Sequence, residues 1–147
     1  MSPGRPAGSD PAEPGTTEAN KAVVRRLVEE VLNNGNLGVL GELYDPTLAV
    51  RARRWIEPFL GSFSEVVMRT EELIAEGDRV VGRFTCSGTH TGTWRGHAPT
   101  GRRFTDVPEV YIFRITDGRI SHAWGLEDTW RRLSELGLAT EADPGGQ

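Results

Sequence analysis

The sequence predicts an α+β fold in which helices come first, antiparallel strands follow, and one more helix closes the chain. Three observations predict it. Apolar residues recur at helical spacing from Thr17 to Asn33. From Val66 the apolar period changes to two. Asp117-Gly118 then separates two alternating runs and reads as a tight hairpin turn. Helices and strands grouped in this way pack as separate layers. A curved sheet wrapped over helices makes a cone, and the inside of a cone is a natural apolar pocket.

Val23, Val24, Leu27, Val28, Val31 and Leu32 form the stripe of the first helix, with Glu18 near its positive end. Asn33-Asn34-Gly35 stops it. Asn36 can cap a short second helix, Leu37–Tyr44, which ends at Asp45-Pro46. Leu48-Ala49-Val50 reads as a short strand. Trp55, Ile56, Phe59 and Leu60 fit a third helical face, broken or shortened by Pro58. Strands are expected at Val66–Ile74, Arg79–His90, Phe104–Thr116 and Arg119–Leu126, and a last helix at Asp128–Leu138 with Trp130, Leu133 and Leu136. Residues 1–16 read as a disordered N-terminal tail, 17–138 as one domain, and 139–147 as a flexible C-terminal tail.

The 147 residues suffice for one core. A net charge of −4 gives no basic footprint for nucleic acid. The pairs Arg25-Arg26, Arg53-Arg54, Arg102-Arg103 and Arg131-Arg132 read as solvated faces. Cys86 is the only cysteine, which excludes an intrachain disulfide and a CxxC site; it reads as a small buried residue. The three His lack metal-ligand spacing, and no cofactor or metal is expected. No apolar run approaches membrane-spanning length, so no membrane is expected and the default compartment is the cytoplasm.

Gly88–Gly101, GTHTGTWRGHAPTG, joins two strands through four Gly, a Pro, two His and a Trp. Such a composition shapes a connection between strands, and by itself it is a decorated loop. In this loop His90 either contacts ligand or holds the loop by hydrogen bonds, and His97 sits at the exposed tip.

These pieces resemble the SnoaL-like polyketide cyclases, members of the NTF2-like superfamily with a cone-shaped α+β barrel. The resemblance rests on NLGVLGELYDP, ELIAEGDRVVGRFTCSGTHTG, WRGHAPTGRRF and VYIFRITDGRISHAWGLED, spanning roughly residues 20–138. It departs from the family at Asp45–Arg54, compressed to DPTLAVRARR, and at Ser62-Phe63-Ser64-Glu65 in place of an AFPD step. The resemblance implies a cofactor-independent enzyme that closes a ring in a polyketide or related aromatic metabolite. It also implies a small apolar substrate and a homodimer. It makes Asp128 the general acid/base of an aldol-type closure, since one carboxyl can take a proton from carbon and return one to oxygen if burial lifts its pKa. Asp128 also stands where an N-cap of the last helix would stand.

His122, Trp124 and Asp128 share parity on the last strand. His122 could tune Asp128, and Trp124 could wall a planar substrate. On the preceding strand Glu109, Tyr111 and Phe113 share one face, and Val110, Ile112 and Arg114 the other. Both faces carry apolar groups, so pattern leaves open which looks inward. Arg114 would steady an oxyanion in one case. Glu109 and Tyr111 would supply polar groups, and a buried acid, in the other. Trp55, Phe59 and His90 complete the expected substrate-binding set. An alternative on the same cone is an epoxide hydrolase of the limonene type, or an epoxide-opening cyclase in which an internal hydroxyl replaces water; it needs an inward Arg between two acids, for example Arg114 with Asp128 and either Glu109 or Asp106. A third reading is a non-catalytic ligand-binding or dimerisation module, whose pocket would hold no carboxyl of raised pKa.

Overall fold

Thr16 opens the first helix, its hydroxyl accepting the Ala19 N–H at 3.1 Å. In this computed structural model, which describes residues 13–139, helix α1 (Thr17–Arg26) runs on without a break as a wider π-type segment, Leu27–Asn33. The expected stripe faces the core: Val24, Leu27, Val28, Val31 and Leu32 are buried. Asn33 leaves the helix and clamps the first strand, exchanging two hydrogen bonds with the Met68 backbone. Asn36 caps a short 3₁₀ turn, Leu37–Val39, that runs into α2 (Leu40–Leu43).

The next segment corrects the sequence reading. Leu48-Ala49-Val50 is not a strand, and Pro58 does not break the helix. Helix α3 is continuous over Pro46–Ser62. Asp45-Pro46 starts this helix as well as ending the previous one: the Asp45 carboxylate accepts the Leu48 N–H at 2.7 Å, and Pro46 takes a first-turn position where its missing N–H costs nothing. Ala52 and Ile56 bury one face against the core.

Four strands follow as an antiparallel meander in the order β1 (Phe63–Glu76), β2 (Arg79–His90), β3 (Arg103–Thr116) and β4 (Arg119–Glu127). Asp117 and Gly118 both adopt left-handed φ, 52° and 77°, which matches the twist of a two-residue hairpin. Helix α4 (Thr129–Glu135) packs against β3. Leu133 and Leu136 are buried there, whereas Trp130 is exposed. The architecture is an NTF2-like α+β cone, a curved antiparallel sheet wrapped over the N-terminal helices.

The register settles the face that pattern left open. Val80, Phe84 and Cys86 of β2 are buried, and so are Phe104, Val107, Glu109, Phe113 and Ile115 of β3. Glu109 pairs with Phe84 on one side and Glu127 on the other, so Glu109, Tyr111 and Glu127 look into the cone. Val110, Ile112 and Arg114 pair with Leu126, Trp124 and His122 on the outer face. No described helix is long and apolar enough to cross a membrane. Of the expected tails at 1–16 and 139–147, residues 1–12 and 140–147 lie outside the described residues.

Candidate active site

Between the helices and the sheet lies a cavity of about 350 Å³. Its walls are apolar and aromatic: Leu27 and Val28 from the π-type segment, Trp55 and Phe59 from α3, and Trp94 from the loop after β2. Glu109, Tyr111 and Glu127 bring polar groups to the same cavity. A mostly apolar cleft with a few converging polar groups is the usual form of a small-molecule site. Exposed Trp55 marks its mouth, and Glu109, 3 % exposed, marks its depth.

Behind the two carboxylates lies Arg132. Its side chain is fully buried, and it is not part of the cavity wall. One guanidinium nitrogen reaches Glu127 Oε1 at 2.6 Å and another reaches Glu109 Oε2 at 3.2 Å. Its flat face lies 4.6 Å from the Phe104 ring centroid and 5.5 Å from that of Phe59. A buried cation needs such partners because losing water costs several kcal/mol per ion. The Tyr111 hydroxyl donates to Glu109 Oε1 at 2.9 Å, which gives the chain Tyr111–Glu109–Arg132–Glu127.

This arrangement moves the Glu109 carboxyl from 4.5 up to about 7. Burial is the largest cause, and the negative charge of Glu127 adds to it; Arg132 and the Tyr111 hydroxyl pull the other way. Burial, and then the Glu109 charge, raise the Tyr111 hydroxyl above its ordinary value. Burial works against the Arg132 cation, but the Glu127 and Glu109 carboxylates outweigh it and its pKa is raised. Gly125 lets this packing form, because a Cβ there would stand 2.2 Å from the Tyr111 ring.

Five of the expected site residues lie elsewhere. Asp128 is exposed and caps α4, its Oδ1 accepting the Arg131 N–H at 3.0 Å. Its distance from the cone follows from parity, since His122, Trp124 and Leu126 point outward and Asp128 ends the strand. His122 is exposed, Trp124 is 50 % exposed, and Arg114 lies on the surface with its Nε 3.7 Å from Asp78. His90 does not line the cavity. It is buried beside Phe63, and its Nδ1 accepts the Thr100 N–H at 3.1 Å, so it holds the loop rather than a ligand. Glu109, Tyr111, Trp55 and Phe59 do line the cavity.

Glu127 and Arg132 escaped the sequence reading. Glu127 follows Gly125 at strand parity and stands opposite Glu109, which a hairpin register counted from Asp117-Gly118 could have located. Arg132 had no such signal, because it reads as half of a solvated pair. Among the described residues, no three His, Cys, Asp or Glu side chains converge on a metal-sized site.

Asp128→Ala is expected to cost about 1 kcal/mol of stability through the lost cap, read as a small fall in the denaturation midpoint. Turnover should stay unchanged, and a large loss of kcat at constant fold would return Asp128 to the mechanism.

Fold and site together define a cone-shaped α+β protein with a carboxyl-bearing apolar pocket. The model of the SnoaL-like polyketide cyclases matches residues 22–136, and the chain belongs to that family. It is 31 % identical over 140 residues to aklanonic acid methyl ester cyclase AcmA of Streptomyces galilaeus, covering 82 % of this chain and 94 % of that one. Its fold is similar to that of TsrD from Streptomyces laurentii, with a TM-score of 0.75 at 24 % identity over 84 % of this chain and 98 % of that one. IdmH of Streptomyces antibioticus is similar with a TM-score of 0.70 at 25 % identity, covering 80 % and 98 % of the two chains.

Proposed function

We propose that this protein is a cofactor-independent cyclase, closing a ring in a planar polyketide-like substrate with Glu109 as its acid/base. The observation that carries the proposal is a single buried carboxyl, raised to about 7, lining an aromatic-walled cavity. Such a group is half ionised near neutrality and can run both proton transfers of an aldol closure. As carboxylate, Glu109 takes a proton from the acidic carbon. The resulting carbanion attacks the carbonyl carbon, forming the ring bond, and the carbonyl oxygen takes up the electron pair. The protonated Glu109 then returns its proton to that oxygen, leaving the enzyme unchanged. Tyr111, whose single hydroxyl proton is donated to Glu109, holds the carboxyl in place for both transfers.

A second reading is favoured by one specific arrangement. The epoxide-opening alternative needs an inward Arg between two acids, and Arg132 lies between Glu109 and Glu127. There, protonated Glu109 would donate to the epoxide oxygen while Glu127 removes a proton from the attacking hydroxyl. The cyclase reading is preferred because Arg132 stands behind the carboxylates, outside the cavity wall. The non-catalytic reading predicts no raised carboxyl in the pocket, and Glu109 speaks against it.

The test is ring closure of aklanonic acid methyl ester, the substrate in AcmA's name, beside deuterium exchange at the methyl carbon of 2-acetonaphthone. Saturable acceleration of either reaction over a denatured-protein blank supports the reading. A protein that binds these aromatics and accelerates neither contradicts it.

The homodimer implied by the family would use the outer sheet face, where Val110, Trp124 and Leu126 are exposed. Trp124→Glu is expected to shift the sedimenting species from dimer to monomer with the far-UV spectrum intact. A wild type that sediments as a monomer at micromolar concentration would contradict it.

A further inference from the structure

The cavity wall carries charges of both signs. Glu109 and Glu127 sit together and share Arg132 behind them. Among the described residues, the one cation on the wall is Arg95. Among the described residues Arg95 makes no ion pair; its guanidinium lies over the Trp94 ring, 5.6 Å from the centroid. Trp94 itself is a cavity wall, so the cation extends an aromatic surface that a planar molecule would lie against.

The loop that carries Arg95 is braced. Ser62 Oγ, at the end of α3, donates to the Thr93 carbonyl at 2.7 Å, and the Thr91 and Gly92 N–H groups donate to the Ser62 carbonyl. Trp94 and His97 exchange two backbone hydrogen bonds, of 3.0 and 2.8 Å, around a two-residue turn. Arg95 occupies the first turn position with φ 50°, which costs energy for a side chain of its kind. The far end of the loop is held by the His90–Thr100 bond. A cation that makes no ion pair among the described residues is thereby held at the exposed edge of the cavity, whereas Glu109 is buried at its depth.

We propose that Arg95 is a substrate-orienting site that binds an anionic oxygen on a planar, conjugated substrate. The substrate class is therefore an aromatic anion, a carboxylate or an ionised enol. The proposal rests on the catalytic reading of the cavity. The buried Glu109 carboxyl repels an anion from the deep end, while Arg95 attracts it at the mouth, so the neutral, reactive end goes in first, toward Glu109. A guanidinium suits this role because its charge is permanent and its fork of donors matches two oxygens.

The test uses two pairs of probes and the intrinsic Trp fluorescence. The first pair is 2-naphthoate and its methyl ester. The second is 2-hydroxy-1,4-naphthoquinone, an enolate at neutral pH, and its methyl ether. The wild type is expected to bind the anion of at least one pair about tenfold more tightly than its neutral partner. The pair that shows the preference identifies the anion. The preference should fall toward unity in Arg95→Asn, which suits the left-handed backbone. It should survive in part in Arg95→Lys and weaken with added salt. Equal affinities within both pairs overturn the proposal, as does a preference that persists in Arg95→Asn, or a failure of all four probes to bind. Glu109→Gln separates the two readings. Anion preference kept while wild type and variant turn over alike sinks the acid/base role alone, and lost turnover with no anion preference in the wild type sinks the Arg95 site alone.

Discussion

Glu109→Gln is expected to lower kcat by about 10²- to 10⁴-fold, the usual range for a positioned acid/base, while changing the affinity for substrate little. The amide keeps the shape of the carboxyl and one acceptor for the Tyr111 hydroxyl, but it cannot carry a proton between carbon and oxygen. The wild-type kcat should rise with pH through a midpoint near 7, where the buried carboxyl ionises and becomes a base. A variant that retains wild-type kcat and the same pH midpoint would remove Glu109 from the mechanism.

The same carboxyl should be visible in stability. Its pKa is about 7 when folded against 4.5 ordinarily, so between those values the folded chain holds more protons than the unfolded one. Stability from this group is full below about 4.5, falls as pH rises, and levels off above about 7. The change is roughly 3 kcal/mol. Denaturant midpoints of Glu109→Gln should lack this slope, and an identical slope in the variant would place the titration elsewhere.

Arg132→Met is expected to destabilise the fold by about 3–5 kcal/mol, because it strands two carboxylates beside an apolar cavity. That is a large part of the 5–15 kcal/mol typical of a whole domain. The methionine can still pack against Phe104 and Phe59, so lost charge rather than lost volume would dominate. The triple variant with Glu109→Gln and Glu127→Gln should recover much of the loss in chemical denaturation. Failure to recover would show that Arg132 acts through packing. As a positioning residue, Arg132 also holds the Glu109 pKa down. Any Arg132→Met protein that folds should show its kcat midpoint moved above that of the wild type, which a purely structural role would not produce. Arg132→Lys should restore little, since a point charge on a flexible stem does not bridge two carboxylates as a planar fork does.

The missed residues show where local reasoning ends. Asp128 obeys a local rule, in that a carboxylate before a helix accepts that helix's free N–H groups, and this is its place here. Arg132 breaks a local rule. An Arg beside another Arg on a short helix belongs in water unless partners far along the chain replace that water. Those partners are on two different strands.

Much of the fold was legible in the chain itself. The 3.6-residue period placed the first helix, and alternation placed the strands to within a few residues at their ends. Asp117-Gly118 located a hairpin, because these residues tolerate the left-handed backbone that such a turn requires. Alternation also put Glu109 and Tyr111 on one strand face and Arg114 on the other. Which face is inside was a tertiary decision, because both carry apolar side chains and only packing against α3 and the π-type segment distinguishes them. The pairing of Glu109 with Arg132 and Glu127 was a tertiary decision too. A buried charge is stable only when distant segments bring its countercharge within reach, and no local pattern in the chain encodes that meeting.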